Sequence, residues 1–123
     1  MPFQEFAELR VFQLAETFCD HVWDVVLKWQ TLAINTVGIQ LVRAADSIGA
    51  NIAEGHGSGS AKENRRFVRI SKKSLNETRY WLRRAQARKL LPADQAKRLR
   101  NILDNLRPAL IGYLASLDRR LRK

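Results

Sequence analysis

Four stretches of this 123-residue chain repeat apolar residues every three or four positions, the spacing that places side chains on one face of an α-helix. The clearest stretch lies near the C-terminus and consists of Leu99, Ile102, Leu103, Leu106, Leu110, Tyr113, Leu114 and Leu117. No stretch alternates apolar and polar residues as a half-buried strand does. A chain with this pattern folds by burying helical stripes against one another.

The same spacing, together with helix-ending residues, predicts where each helix lies. The helices are expected at about residues 7–29, 37–54, 61–89 and 93–120. Residues 30–38 have no strong period and predict a connection between the first two helices. Gly55, Gly57 and Gly59 predict the end of the second helix, because glycine accepts the backbone angles that terminate helices.

Further signals mark the third and fourth helices. Ser60 followed by Glu63 predicts a capping box, which satisfies free backbone N–H groups at the start of a helix. Pro92 favours the start of the fourth helix, and Pro108 predicts a kink within it. Four such helices joined by short connections predict an all-α, antiparallel up-down-up-down four-helix bundle, with one domain over residues 1–123.

Charge is distributed unevenly along the chain. The chain has 22 Lys and Arg against 12 Asp and Glu, a net charge of +10. Residues 1–57 carry a net charge of −4, whereas residues 58–123 carry +14. Clustered cations attract phosphate groups and release their counterions, so nucleic acid is a candidate partner. The alternative is a solvated face that keeps the protein soluble by self-repulsion.

Many of the cations lie on one face of the third helix. With Phe67 at the centre of the predicted buried face, the opposite arc of about 120° contains no acidic residue. The candidate nucleic-acid-binding residues on this arc or beside it are Lys62, Arg65, Arg66, Arg69, Lys72, Lys73, Arg79, Tyr80, Arg83 and Arg84. Tyr80 adds an aromatic ring on which an unpaired base can stack. The alternative is an ordinary solvated face, although such faces usually mix both signs of charge.

The second helix is small or apolar around most of its circumference. Its small residues are Ala44, Ala45, Gly49, Ala50 and Ala53, and its narrow polar stripe is Arg43, Ser47, Asn51 and Glu54. A helix that is apolar nearly all round is usually buried nearly all round. We therefore expect a homo-oligomeric interface that includes Arg43, Ser47, Ala50, Asn51 and Glu54. The alternative is a tight crossing within one chain.

Catalytic and metal chemistry are not indicated by the sequence. Cys19 lies on the apolar stripe of the first helix and is interpreted as a core residue. His21 is one of only two histidines and is interpreted as a solvated side chain, despite the nearby Asp20 and Asp24. The glycine-rich loop at residues 55–59 lacks the Gly-Lys-Ser/Thr ending that grips nucleotide phosphates. We expect no enzyme activity, no cofactor, no metal and no small-molecule substrate.

Cellular location is constrained by what the sequence lacks. No apolar run approaches the roughly 20 residues of a membrane span. The first six residues lack the basic start and apolar stretch of a signal peptide. A single cysteine excludes an internal disulfide. A cytoplasmic protein with no membrane contact is expected.

A long motif in the second helix resembles that of a known family. The motif is QLVRAADSIGANIAEG at residues 40–55. The third helix adds Glu63, Arg66-Phe67, Ile70-Ser71, Ser74-Leu75-Asn76-Glu77 and Tyr80-Trp81-Leu82, and the first adds Phe6 and Leu9-Arg10-Val11-Phe12. Over about residues 6–118 the chain resembles the four-helix-bundle protein family, also called the 23S rRNA-intervening sequence protein family.

The resemblance implies a homopentamer of four-helix bundles. A related accessory protein of diversity-generating retroelements forms a basic pentameric barrel that engages nucleic acid and a reverse transcriptase. Some family members are encoded in segments inserted into large-subunit rRNA genes, which favours RNA over DNA. The resulting hypothesis is a non-enzymatic, basic, homo-oligomeric nucleic-acid-binding module that contacts mostly the backbone. The alternative is an adaptor that binds an acidic protein such as a reverse transcriptase.

Overall fold

Four helices joined by short connections make up the computed structural model, which describes residues 6–122. After a short 3-10 turn at Phe6–Glu8, the helices are α1 (Arg10–Val26), α2 (residues 31–56), α3 (Ala61–Ala87) and α4 (Ala93–Leu121). No strand occurs within residues 6–122. Residues 1–5 and 123 lie outside this range, and so does most of the segment on which the signal-peptide expectation rests.

Each helix packs against two others, so that α1, α2, α3 and α4 form a closed circuit around one core. Contacts between opposite ends show that neighbours run antiparallel. Ser71 near the middle of α3 reaches Ile48 of α2, and Asn64 at the start of α3 reaches Tyr113 late in α4. The all-helical arrangement predicted from the apolar periodicity is confirmed.

The core consists of apolar side chains from all four helices. Its largest fully buried members are Phe18, Leu41, Ile48, Ile52, Leu75, Leu99, Leu106, Leu110 and Leu117. The predicted stripe of α4 is buried at Leu99, Leu103, Leu106, Leu110 and Leu117. Helix α4 also continues through Pro108, an exposed position that tolerates the missing N–H. Burial of these stripes supplies the main driving force for folding.

Helix α2 begins earlier than the sequence predicted. Residues 31–38 are helical rather than a connection, and they comprise an α-helical turn, Thr31–Ala33, followed by a π-helical segment, Ile34–Gly38. The backbone N–H of Ile39 bonds to the carbonyl of Ile34, five residues back. A π-helical segment inserts one residue into the helix and interrupts its 3.6-residue period. Because the period is interrupted there, the apolar spacing of residues 31–38 does not reveal that they are helical.

Gly55 lies inside α2, which ends at His56, so its role differs from the predicted helix termination. A Cβ atom added to Gly55 would lie 2.7 Å from Asn64 Oδ1, 2.9 Å from Phe67 Cβ and 3.0 Å from the Asn64 carbonyl oxygen. The last two atoms belong to the rigid part of α3. Only glycine therefore allows α2 and α3 to approach this closely.

We expect Gly55→Ala to destabilise the bundle by about 1–3 kcal/mol, because α3 has to move to admit the methyl group. Urea unfolding followed by circular dichroism measures this change. Gly112→Ala is the matched control, since Gly112 is also helical but nothing lies within 4 Å of its added Cβ. That variant should be stabilised by about 0.5–1 kcal/mol. Equal behaviour of the two variants would contradict the proposed tight crossing.

Candidate nucleic-acid interface

Helix α3 begins at a side-chain cap and presents a long row of cations. Ser60 has extended backbone angles, and its Oγ accepts a hydrogen bond from the backbone N–H of Glu63 at 3.0 Å. This confirms the Ser60 half of the predicted capping box. The Glu63 carboxylate instead accepts a hydrogen bond from Arg66 Nε at 2.8 Å. The cap fixes the start of α3 and hence the register of the cations that follow.

The buried face of α3 is rotated from the predicted one. Phe67, the predicted centre, is only half-buried, whereas the buried residues of α3 are Asn64, Val68, Ser71, Ser74, Leu75, Thr78 and Ala85. At 100° per residue the centre of burial lies about 40° away from Phe67. The cationic face lies opposite Phe67 and is therefore not directly opposite the centre of burial. It is displaced by the same angle toward α4.

Most of the candidate binding residues are exposed. Exposed side chains are Lys62, Arg66, Arg69, Lys72, Lys73, Arg79, Tyr80 and Arg83. Arg65 and Arg84 are only partly exposed. These ten residues, called the cationic row below, therefore lie along one side of α3. Arg65 and Arg84 are less exposed than the other eight.

Three of these arginines already have partners within the chain. Arg65 lies 3.4 Å from the carboxylate of Asp118 on α4, and Arg69 lies 3.9 Å from it. Arg66 pairs with Glu63, and its guanidinium lies 4.4 Å from the centre of the Phe67 ring. The face of α3 that contains no acidic residue of its own is thus contacted by Asp118 from α4. Arg65, whose side chain is 28% exposed, serves mainly to join α3 to α4.

A cleft of about 750 Å³ runs between α3 and α4, next to this row. Arg79 and Arg83 line it from α3, and Arg100 and Arg107 line it from α4. Sequence reasoning missed the two α4 arginines, because it examined one helix at a time. Their spacing of seven residues, about two helical turns, is the signal that could have revealed them as neighbours on one face.

Two of the four residues in the polar stripe of α2, Ser47 and Asn51, form hydrogen bonds within the same chain. The Ser47 and Ser74 hydroxyls lie 2.8 Å apart, and Asn51 Nδ2 donates to the Ser47 carbonyl and hydroxyl oxygens at 2.8 and 2.9 Å. Arg43, Ala50 and Glu54 are exposed. Of the small residues, Ala44, Ala45 and Gly49 are buried against other helices of the same chain. The single bundle therefore accounts for most of the burial that favoured a subunit interface.

Cys19 is held in its neutral form. The thiol is half-buried and donates a hydrogen bond to the Glu16 carbonyl at 3.3 Å. Burial, reinforced by the carboxylate of Asp46, raises the pKa of the Cys19 thiol to about 12. A thiol with so high a pKa is a poor nucleophile, because only the thiolate attacks.

Within residues 6–122, no three side chains among His, Cys, Asp and Glu come together as a metal site. None of the helices described there is both long enough and apolar enough to cross a membrane.

We expect alkylation of Cys19 at pH 8 to be at least about 100-fold slower in the folded protein than in urea, because the raised pKa leaves little thiolate. Mass spectrometry with iodoacetamide measures the rate without ambiguity, since Cys19 is the only cysteine. Comparable rates in the two states would mean that the thiol is neither shielded nor perturbed.

Comparisons with known proteins agree with this fold. The sequence profile of the family described as 23S rRNA-intervening sequence protein matches residues 7–112, which confirms the resemblance seen in α2. A 1.70 Å crystal structure of a protein of unknown function from the S23 ribosomal protein family of Bacteroides thetaiotaomicron is similar, with a TM-score of 0.75. The similarity covers 85% of this chain and 95% of that chain at 23% identity, so it concerns the fold. No curated protein matches the chain.

Proposed function

Because the chain belongs to the 23S rRNA-intervening sequence protein family, we propose that it is a non-enzymatic, homo-oligomeric module that binds nucleic acid through α3 and the adjacent side of α4. The observation that supports this function is the exposed cationic row on α3. RNA is favoured over DNA by the family's link with rRNA genes. The contacts are made mainly to the phosphate backbone, so little sequence preference is expected.

The dimensions of the row suit a phosphate backbone. From Lys62 to Arg84 the row extends about 33 Å along α3, at 1.5 Å per residue. Lys72, Arg79 and Arg83 are exposed, and no carboxylate of residues 6–122 lies within 4 Å of them. Cations that are not neutralised within the chain remain available to displace counterions from a nucleic acid.

We expect binding to weaken steeply with salt, with a log–log slope that each neutralised phosphate steepens by roughly 0.7 to 0.9. Lys72→Glu/Arg79→Glu/Arg83→Glu should abolish binding of RNA and DNA in a fluorescence anisotropy titration. The three side chains are exposed, so the bundle should remain folded.

A matched control separates the cationic row from net charge. Arg10→Glu/Arg98→Glu/Arg120→Glu changes the net charge by the same amount, at exposed positions on α1 and on α4 outside the cleft lining. This variant should keep most of its affinity. If the native chain bound no nucleic acid at low salt, the proposal would fail, and an adaptor that binds an acidic protein such as a reverse transcriptase would become the better hypothesis.

The self-assembly part of the proposal is supported by exposed apolar side chains on α1 and α2. Trp23 is 52% exposed and Leu32 is 78% exposed, with Leu27 and Ile39 also exposed nearby in the sequence. Solvent-exposed large apolar residues often mark an interaction surface. A second copy suits this surface, because the acidic half of one chain complements the basic half of another. Head-to-tail contacts form a ring when the rotation between successive subunits closes, and the family resemblance suggests closure at five subunits.

Light scattering on a sizing column should give about 71 kDa, five times the 14.2 kDa chain. Leu32→Asp should lower this mass toward that of the monomer, because it places a charge on the proposed contact. Ala50→Arg tests the contact predicted from α2 without risk to the core, since Ala50 is exposed. A native chain that elutes as a 14 kDa monomer at micromolar concentration would overturn the assembly.

A further inference from the structure

We propose that the cleft between α3 and α4 binds an unpaired nucleotide of a single-stranded nucleic acid, with the phosphate on its arginines and the base against Tyr80 and the apolar floor. This inference rests on the proposed function and adds the form of nucleic acid that the site selects. It arises from the juxtaposition of cationic walls, an apolar floor and an aromatic rim in one cleft.

The walls of the cleft are strongly cationic. Arg79 and Arg83 on α3 face Arg100 and Arg107 on α4, and Asp104 is the only acidic residue in the lining. No carboxylate of the described part of the chain lies within 4 Å of any of the four guanidinium groups. A phosphate between the two helices can therefore receive hydrogen bonds from both walls, in the bidentate geometry that arginine favours.

The floor of the cleft is apolar, a feature that phosphate binding does not need. Leu75, Leu91 and Leu103 are buried side chains that reach this floor. Nucleobases combine flat, weakly hydrated faces with polar edges, and they bind where an apolar surface adjoins hydrogen-bonding groups. The amides of Asn76 and Gln86 also line the cleft and can both donate to and accept from the edge of a base.

Tyr80 provides a positioned aromatic surface at the cleft. Its side chain is 54% exposed, and its ring lies 5.0 Å from that of Trp81 in an edge-to-face arrangement. The Trp81 indole N–H in turn donates to Glu77 Oε2 at 3.4 Å. The hydrogen bond positions the Trp81 ring, and the contact with Trp81 in turn favours one orientation of the Tyr80 ring, which lowers the entropic cost of stacking a base on it.

The size of the cleft selects an unpaired base. A volume of about 750 Å³ falls in the range of sites that hold one small organic molecule. A base in a duplex is stacked and paired, and it has to be extruded at a cost of a few kcal/mol before it can enter. A single strand has no such cost. The row on α3 attracts either form, whereas the cleft should distinguish them.

The decisive experiment compares two double variants against two ligands. Arg100→Gln/Arg107→Gln removes the α4 wall, and Lys62→Gln/Lys73→Gln removes two exposed cations of α3 outside the cleft. The ligands are a 12-nucleotide single-stranded RNA and the duplex of the same sequence, titrated at one salt concentration. The cleft variant should lose about 10-fold or more in affinity for the single strand and markedly less for the duplex. The control variant should weaken both ligands by the same factor.

A second measurement locates the base. Tyr80→Leu should weaken single-strand binding by roughly 5- to 100-fold and leave duplex binding nearly unchanged. Ultraviolet crosslinking of RNA that contains 4-thiouridine should place the crosslinked peptide at Tyr80 by mass spectrometry. Thermal unfolding of every variant verifies that the fold is retained.

The outcomes separate this inference from the function on which it rests. A native chain that binds neither RNA overturns both. Binding that the Arg100/Arg107 and Tyr80 variants reduce equally for single strand and duplex overturns the cleft alone and retains the row on α3. Tighter binding of poly-glutamate than of single-stranded RNA, lost in the Arg100/Arg107 variant, assigns the cleft to an acidic peptide and overturns the nucleotide.

Discussion

The close approach of α2 and α3 governs the rest of the structure. Gly55 leaves no room for a side chain beside Asn64 and Phe67, and Ser71 Oγ donates to the Ile48 carbonyl at 2.8 Å across the same interface. Such contacts require small residues on both helices, because a larger side chain would push the backbones apart. They explain why the sequence places alanine, glycine and serine at these positions. They also satisfy the buried hydroxyls of Ser71 and Ser74, whereas the Thr78 hydroxyl donates to the Ser74 carbonyl of its own helix.

This contact determines where the charge of the molecule lies. Since α3 turns Ser71 and Ser74 toward α2, its long cationic side chains must emerge on the opposite side, next to α4. Asp118 then ties α3 to α4 at one end through Arg65, while the cleft opens along the rest of the seam. An ion pair at partly exposed positions contributes at most about 1 kcal/mol, so its main effect is on the position of the two side chains. The basic surface is thus a consequence of packing, not a separate feature added to it.

The fold and the function rest on different kinds of information. Family membership and a similar crystal structure fix the architecture, and the crystal structure's protein is itself of unknown function. The proposed contacts with nucleic acid depend on this chain's own arginines and on Tyr80. The interface proposed for α2 illustrates the difference, since Ser47 and Asn51 have their partners within the bundle. A pattern of small residues predicts close helix packing but does not show whether the packed helix belongs to the same chain or to another subunit.

By itself, the sequence determined the helical segments apart from the start of α2, the cap at Ser60, the buried stripe of α4 and the concentration of positive charge in the second half. These properties are local, since each depends on residues within a few turns of one helix. Only the tertiary structure decided the rotation of α3, the role of Gly55, the pairing of Arg65 with Asp118 and the cleft that joins Arg83 to Arg100. Each of these depends on how side chains far apart in sequence fit together. That fit is set by steric contact between helices, which no single helical period encodes.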